Sequence, residues 1–227
     1  MDFGLSQDQQ MLRDAVARCL ADTCPLDHVR ECAELDNPLS DKVLGAVQDL
    51  GIPGMLVPEE HGGLGMTLLD AAIVAEQLAY AVAPVPFLAS HVLTPIALSE
   101  AGSKEQKAHW LPKIVSGEAR IGVAISETIE VRDGAGVSFA AGKLNGTALF
   151  ALDFEGADAF FVAALVEHPG KDQVHARDAA AGDPMLAAVD HIAIAAALGA
   201  SRHLARGAAG LGFGDADRRL VTGQHRL

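Results

Sequence analysis

Aromatic side chains and positive charge are both scarce in this sequence. Phe, Trp and Tyr make up 4% of the 227 residues, whereas hydrophobic residues of all kinds make up 50%. The apolar content is therefore mostly Ala, Leu and Val, which favours closely packed helices. Lys and Arg total 17 against 30 Asp and Glu, so the net charge is −13. Because an acidic surface repels phosphate groups, we expect neither nucleic acid nor an anionic membrane as a partner.

Cysteines are few, and no apolar run reaches the length of about 18 residues that a membrane-spanning helix requires. The three cysteines, Cys19, Cys24 and Cys32, lack the spacing of metal ligands. The sequence also shows no signal peptide. We therefore expect a cytoplasmic protein with reduced thiols and no bound metal.

Helix signals occupy the first 118 residues. Ser6, Thr67 and Ser103 each precede an apolar repeat of helical period, and a capping partner stands three residues after each of them. Ser40 precedes a further short repeat of the same kind. The sequence therefore predicts an all-helical N-terminal domain over residues 1–118.

The hydrophobic pattern changes at residue 120. Four short apolar runs, separated by Gly, Asn and Asp, predict four strands between residues 120 and 166: RIGVAIS, GVSFAAG, GTALFAL and DAFFVAALV. We assign residues 119–183 to a small antiparallel β domain with a polar connector. A long Ala-rich helix is predicted from about residue 184, which makes residues 184–227 the start of a C-terminal helical domain. The predicted fold class is α+β.

The stretch VPEEHGGLG, residues 57–65, combines two carboxylates, a histidine and three glycines. Three interpretations are open: an acid–base cluster, a phosphate-binding loop, or a turn between helices. A phosphate-binding loop follows a strand, and no strand is predicted before this stretch. Adjacent side chains in a loop need not converge, so the residues alone favour the turn over catalysis by roughly five to one.

The order of the predicted elements carries more information than any single motif. Five segments share their order and spacing with one known family: MDFGLSQDQQMLRDAVARCLAD, LGIPGMLVPEEHGGLGMTLLDAAIVAEQLAYAVAPVPF, AGSKEQKAHWLPKIVSGEARIGVAISE, LNGTALFALDFEGADAFFVAA and, more weakly, LGASRHLARGAAGLGFGDADRRLVTGQHRL. Together they resemble the acyl-CoA dehydrogenase family. In that family the stretch that corresponds to residues 57–65 is an interhelical turn. The resemblance therefore implies that Glu59 and Glu60 take no part in catalysis.

The resemblance implies a flavoprotein that binds FAD. The family oxidises an acyl-CoA thioester to its trans-2-enoyl form: a carboxylate removes the α-proton while the β-hydride passes to the flavin. Hydrogen bonds to the thioester carbonyl make the α-carbon more acidic. The electrons then leave to an electron-transfer flavoprotein, so the resemblance implies this protein and an acyl-CoA as partners.

The resemblance also implies roles for individual residues. It places Ile125 and Ser126 against the flavin ring, with the Ser126 hydroxyl as a donor. Phe150 matches an aromatic residue that packs on the flavin, and Phe213 with Gly214 matches a turn that reaches the FAD of another subunit. Each has an ordinary alternative: a locally bonded hydroxyl for Ser126, a strand core residue for Phe150, and a helix C-cap for the pair.

Some positions depart from the family pattern. Leu152 stands where a hydroxyl residue often bonds the flavin. Gly210 stands where an arginine usually contacts the FAD pyrophosphate, although Arg206, one helical turn earlier, could substitute. The helices that usually carry the catalytic glutamate are missing from the sequence, and Asp190 lies close to an alternative base position. The ordinary alternative for Asp190 is a solvated or capping carboxylate.

Two classes of function stay open after the resemblance is considered. The chain is either an active subunit of an acyl-CoA dehydrogenase or a non-catalytic subunit that completes the FAD site of a partner. A third, weaker interpretation is a helical protein with a β insertion and no flavin. We expect either a homo- or hetero-oligomer or a truncated piece of a longer chain. The reason is that four short strands cannot close a barrel and a helix that is apolar on all sides needs neighbours.

Overall fold

The computed structural model describes residues 4–35, 38–125, 136–140, 143–149, 151–163, 165–166, 192–196, 210–213 and 220–222. Helices occupy the described residues up to residue 115, and strands dominate from residue 121 onward. The fold is therefore α+β with a helical N-terminal domain, as the sequence predicts.

Within the described residues, the N-terminal domain contains six α-helices: α1 Gln7–Thr23, α2 Leu26–Ala33, α3 Asp41–Asp49, α4 Leu68–Tyr80, α5 Thr94–Ala101 and α6 Lys104–Val115. Two 3-10 turns cover Ile52–Gly54 and Glu59–His61. A π-helix covers Leu88–Leu93 and runs directly into α5. We call the continuous stretch formed by the π-helix and α5, residues 88–101, the π–α5 segment.

The starts of three helices are fixed by the capping boxes that the sequence predicts. The hydroxyls of Ser6, Thr67 and Ser103 each accept a hydrogen bond from the backbone N–H three residues later, and the side chain at that later position accepts one in return. The Gln9 amide also donates to the Asp70 carboxylate at 3.1 Å. The caps of α1 and α4 therefore also hold these two helices together.

Two apolar clusters form the core. The first lies among the N-terminal helices and consists of Val16, Leu20, Cys24, Val43, Val47, Ile52, Met55, Ala71, Val74, Leu78, Phe87 and Val92. The second joins the π–α5 segment and α6 to the first strands and consists of Val57, Ala89, Leu98, Trp110, Leu111, Ile114, Ala119, Ile121, Val123, Ala159 and Phe161. The second cluster therefore belongs to both the helical and the β part.

Eight strands are present among the described residues: β1 Ile121–Ala124, β2 Gly136–Ala140, β3 Lys143–Leu149, β4 Ala159–Ala163, β5 Leu165–Val166, β6 Ile192–Ala196, β7 Gly210–Phe213 and β8 Leu220–Thr222. They form two sheets with the strand orders β1-β4-β6-β8 and β5-β2-β3-β7. The strands predicted between residues 120 and 166 are confirmed, and the last of them is divided into β4 and β5.

The β part is mixed, whereas the sequence predicted an antiparallel arrangement. Strand β1 pairs in parallel with β4, with Ile121 opposite Ala159, and β2 pairs in parallel with β5. The remaining pairs are antiparallel. The chain leaves the first sheet after β1, forms the β2–β3 hairpin of the second sheet, and returns to β4 in its original direction. A connection of this kind produces a parallel pair.

The prediction of a helix from about residue 184 is wrong over residues 192–196. These residues form β6, which lies between β4 and β8 in the first sheet. Strands β7 and β8 lie in the same predicted helical region. Ile192 and Ile194 alternate with Ala193 and Ala195, so the run also fits a period of two residues. A short apolar run cannot separate a strand from a buried helix by periodicity, and β-branched residues favour the strand. The domain boundaries at residues 118 and 183 stay predictions.

The stretch at residues 57–65 is a turn, the interpretation that the sequence favours. Gly62 and Gly65 have φ angles of +85° and +57°, a region that glycine enters without strain. A Cβ on Gly63 would lie 2.0 Å from the Val57 carbonyl oxygen. The glycines are therefore required by backbone geometry, and the stretch does not gather its carboxylates around a reaction centre.

A carboxylate from the β part binds the start of the π–α5 segment. Asp153 accepts hydrogen bonds from the backbone N–H groups of Ala89 at 2.8 Å and Ser90 at 3.1 Å. The Ser90 hydroxyl in turn donates to the Ile121 carbonyl in β1 at 3.1 Å. We call these three contacts the Ser90–Asp153 clamp. They join the helical domain to both β1 and the residues that follow Leu152.

We expect Gly63→Ala to lower the free energy of unfolding by about 2 kcal/mol or more, because its Cβ would overlap backbone that cannot move aside. The matched control is Gly45→Ala in α3, where nothing lies within 4 Å of the added Cβ. That control should raise stability by about 0.5–1 kcal/mol. Urea unfolding of both variants checks the pair, and equal effects of the two substitutions would contradict it.

Burial raises the pKa of the Asp153 carboxyl, while the N–H groups of Ser90 and Ala89 act in the opposite direction. The stabilising contribution of this group is therefore complete below its ordinary value of 3.8 and is lost as pH rises through the raised pKa. Asp153→Asn keeps an oxygen acceptor and suits the φ angle of +50° at this position. We expect the variant to unfold like wild type at pH 3.5 and to be more stable at pH 7. Loss of stability at pH 7 but not at pH 3.5 would show that the carboxylate charge is required and would contradict the prediction.

Candidate flavin site at the end of strand β1

Ile125 is the predicted site residue whose side chain the structure describes. It follows β1 directly, is half-buried, and packs against the second core cluster. Phe213 ends β7 opposite Gly146 of β3, so it does not cap a helix as the ordinary alternative supposed. The other predicted residues lie outside the described residues: Ser126, Phe150, Asp190 and Gly214.

The end of β1 is held by a second strand-like segment. Val123 N–H donates to the Leu152 carbonyl at 3.1 Å, and Leu152 N–H donates to the Val123 carbonyl at 2.8 Å. A Cβ on Gly122 would lie 2.5 Å from the Phe160 ring and 3.0 Å from the Leu152 oxygen, so only glycine fits there. Leu152 is 37% exposed. The described surface at this end of β1 therefore includes a half-buried isoleucine and a partly exposed leucine.

The π–α5 segment packs beside β1 and carries unusual polar groups. Within the described residues, four buried side-chain atoms have no hydrogen-bond partner: His91 Nδ1, Thr94 Oγ1, Ser99 Oγ and Trp110 Nε1. Three of the four belong to this one segment. Such atoms are rare in folded proteins and call for a physical explanation. The sequence analysis missed them, although polar residues inside the apolar run LASHVLTPIAL were an available signal.

His91 is buried and uncharged at neutral pH. Its side chain lies against the Phe87 ring, with the ring centroids 6.1 Å apart and the planes at 74°. Burial lowers the pKa of His91 to about 4. At pH 7 the imidazole is therefore neutral, with one ring nitrogen as a donor and the other as an acceptor.

A second polar cluster, near α2, has a structural role. The Ser40 hydroxyl accepts from the Val43 N–H as the cap of α3 and pairs with His28 Nε2 at 2.7 Å. Cys32 Sγ lies 3.6 Å from the same nitrogen. Ser40 and Cys32 are both buried, and burial also raises the pKa of the nearby Cys24 thiol. Buried thiols of this kind are inert, so the cluster offers no accessible nucleophile.

Within the described part of the chain, no group of three or more His, Cys, Asp or Glu side chains could hold a metal ion. In the same residues, none of the helices combines the length and the apolar character needed to cross a membrane.

The match to a known family ends near the boundary between the helical and β parts. Residues 6–118 match a family model described as the N-terminal domain of acyl-CoA dehydrogenase. A curated relative, (2S)-methylsuccinyl-CoA dehydrogenase of Cereibacter sphaeroides, is 32% identical over 117 residues, which are 51% of this chain and 21% of that protein. Acyl-CoA dehydrogenase FadE27 of Mycobacterium tuberculosis is 32% identical over 55% of this chain and 34% of its own length.

Solved structures share the fold beyond the matched domain. A chain of the ChsE4-ChsE5 complex from Mycobacterium tuberculosis superposes with a TM-score of 0.66 at 30% identity, covering 74% of this chain and 46% of that one. The chain thus spans a fifth to a third of these curated relatives and about half of this solved chain. The matched helical domain, the strands that follow it in order and this superposition together show that the chain belongs to the acyl-CoA dehydrogenase family.

Proposed function

We propose that the chain is a subunit of a FAD-dependent acyl-CoA dehydrogenase that oxidises an acyl-CoA thioester to the 2-enoyl-CoA. The observation that carries the proposal is the family match over residues 6–118, a domain that β1 and Ile125 follow directly in the chain. The second core cluster and the Ser90–Asp153 clamp fix β1 to the matched domain. A cofactor at the end of β1 would therefore meet a rigid support.

The described residues at the end of β1 fit the ring system of a flavin. Ile125 and Leu152 offer apolar surface, which a flat aromatic ring buries favourably. The Ser126 hydroxyl would donate to the polar edge of the ring, and Phe150 would pack on its face. Phe213 and Gly214 would contact the FAD of a neighbouring subunit. FAD, when bound, supplies the acceptor for the hydride from the substrate β-carbon.

Asp190 is the base that we propose for this chain. Its carboxylate would take the proton from the α-carbon, a step that requires it to lie within hydrogen-bond reach of that carbon. The alternative is a non-catalytic subunit whose partner supplies the base. The similar ChsE4-ChsE5 structure is a complex, and this precedent supports association with a second, different chain.

Association with other chains is part of the proposal. Several large apolar side chains of the helical domain are exposed, among them Leu64, Leu68 and Leu69 around the start of α4. Exposed apolar side chains that lie together favour a protein interface. We include an acyl-CoA as substrate, an electron-transfer flavoprotein as electron acceptor, and a second subunit, identical or different, as partners.

Flavin binding is tested by the visible spectrum of the purified protein and by titration with FAD. We expect flavin absorbance bands, and we expect Phe150→Ala to weaken retention of FAD by about 0.5–1.5 kcal/mol, the usual contribution of an aromatic contact beyond area burial. The control is Phe154→Ala. It removes an aromatic ring that packs on another protein ring, that of Phe160 with centroids 5.8 Å apart, and not on the proposed flavin. Protein that neither carries FAD nor takes it up would refute the proposal.

The catalytic base is tested by substrate-dependent bleaching of the flavin under anaerobic conditions. Asp190→Asn should leave FAD bound and slow bleaching by about 10²–10⁴-fold. Asp183→Asn removes a carboxylate seven residues earlier and should bleach like wild type. Bleaching that survives in Asp190→Asn assigns the base to another group. A wild-type protein that never bleaches with any acyl-CoA supports the non-catalytic alternative.

A further inference from the structure

His91 and Thr94 place two unpaired polar atoms three positions apart in the π–α5 segment. Among the described residues, neither His91 Nδ1 nor Thr94 Oγ1 has a hydrogen-bond partner, and the two residues are 5% and 0% exposed. They flank the junction at which the π-helix, Leu88–Leu93, runs into α5. The two atoms therefore lie in one short buried stretch of this segment.

The unpaired state of these atoms is unfavourable by itself. A buried polar group without a partner destabilises a folded protein, and apolar side chains of the same shape would avoid the penalty. A threonine in a helix can also turn its hydroxyl to a carbonyl one turn earlier, and Thr94 does not do so. Packing therefore does not explain why a histidine and a threonine stand here.

The position of the pair connects it to the candidate flavin site. Ser90, next to His91, bonds to the Ile121 carbonyl, and Ile125 lies four residues further along the same stretch of chain. The interruption of regular helix by a π-helix occurs at His91, and such interruptions are frequent at functional sites. The pair thus lies on the element that borders the strand leading to the flavin.

We propose that His91 Nδ1 and Thr94 Oγ1 form the polar end of the acyl-binding pocket and hydrogen bond to an uncharged oxygen, a hydroxyl or a ketone, on the acyl group. This inference rests on the proposed function, because it requires an acyl-CoA to bind beside β1. It names the substrate class: thioesters whose acyl group carries an oxygen away from the thioester carbon.

The chemistry of the pair selects an uncharged oxygen. The neutral imidazole and the hydroxyl can each donate or accept, which satisfies both a hydroxyl and a ketone. Neither group brings a positive charge, so a buried carboxylate would lose its hydration without gaining an ion pair. A plain alkyl chain would leave both polar atoms unpaired. The pair therefore discriminates against dicarboxylic and unsubstituted acyl groups.

The experiment measures binding of three matched series of CoA thioesters to the purified full chain by calorimetry: saturated acyl, ω-hydroxyacyl and ω-carboxyacyl chains of increasing length. At one chain length we expect the hydroxyacyl thioester to bind about tenfold more tightly than the saturated one, as one or two new hydrogen bonds allow. His91→Leu and Thr94→Val should each reduce this preference to about threefold or less. The preference is the ratio of the two affinities within one variant, so a change that is common to both thioesters cancels.

Ser99→Ala is the matched control. Ser99 Oγ is also unpaired and lies in the same segment, but five residues beyond Thr94 it is rotated by about 140° around the helix. The control should keep the full preference for the hydroxyacyl thioester. Loss of the preference in Ser99→Ala as well would assign it to general damage of the segment and overturn the inference.

Thr94→Val provides a second readout that needs no ligand. The substitution keeps the shape of the side chain and removes an unpaired hydroxyl, so the melting temperature of the protein should rise by about 2–4 °C. The same variant thus gains stability while it loses the preference for oxygen. A fall in melting temperature would show that the hydroxyl is already satisfied within the protein, which overturns the inference.

Failure of the inference differs from failure of the proposed function. Equal affinity for saturated and hydroxyacyl thioesters at every length, or tighter binding of the carboxyacyl series, overturns the inference alone. A preference that persists in both His91→Leu and Thr94→Val does the same. If no thioester binds and the protein takes up no FAD, the proposed function fails and the inference fails with it.

Discussion

The Ser90–Asp153 clamp is the interaction on which the relation between the two parts of this protein depends. Asp153 accepts two backbone N–H groups at the start of the π–α5 segment, and Ser90 bonds to β1. These are long-range contacts, so they exist only when the β part is folded against the helices. The Ser90 contact is buried and the two Asp153 contacts are partly buried, beside the apolar cluster that contains Ala89 and Ile121. Hydrogen bonds that are removed from water gain strength. Because they are directional, they also fix the orientation of the helical part relative to β1, which apolar packing alone would not do.

This arrangement lets the π–α5 segment both bind the β part and carry side chains without partners among the described residues. At the beginning of the π–α5 segment, backbone N–H groups bond to the β part. The following turn carries buried side-chain atoms that have no partner among the described residues. A helix held rigidly at one end can keep a polar side chain in an unfavourable position, because the surrounding structure prevents relaxation. Stability supplied by the clamp and the core therefore maintains a spot that is unstable on its own.

The sequence predicts local structure well and long-range structure poorly. The capping boxes at Ser6, Thr67 and Ser103 and the glycine turn depend on neighbours within a few residues, and all are confirmed. The strand at Ile192 was predicted as helix, because its partners in β4 and β8 decide its conformation. The parallel pairing of β1 with β4 depends on the path of the chain between them. The unpaired atom of His91 becomes visible only when every neighbour is placed.

The parallel pairing also sets an order in which the protein can be assembled during synthesis. The helical domain is stabilised largely by contacts within its own residues and can fold as soon as they are made. Strand β1 follows it, yet the partner of Ile121 is Ala159, and β4 in turn pairs with β6, which comes later still. Until those strands emerge, β1 has no strand partner at all, and unpaired strands are prone to pair with other chains. The nascent protein therefore passes through a stage in which a finished helical domain carries an unprotected strand.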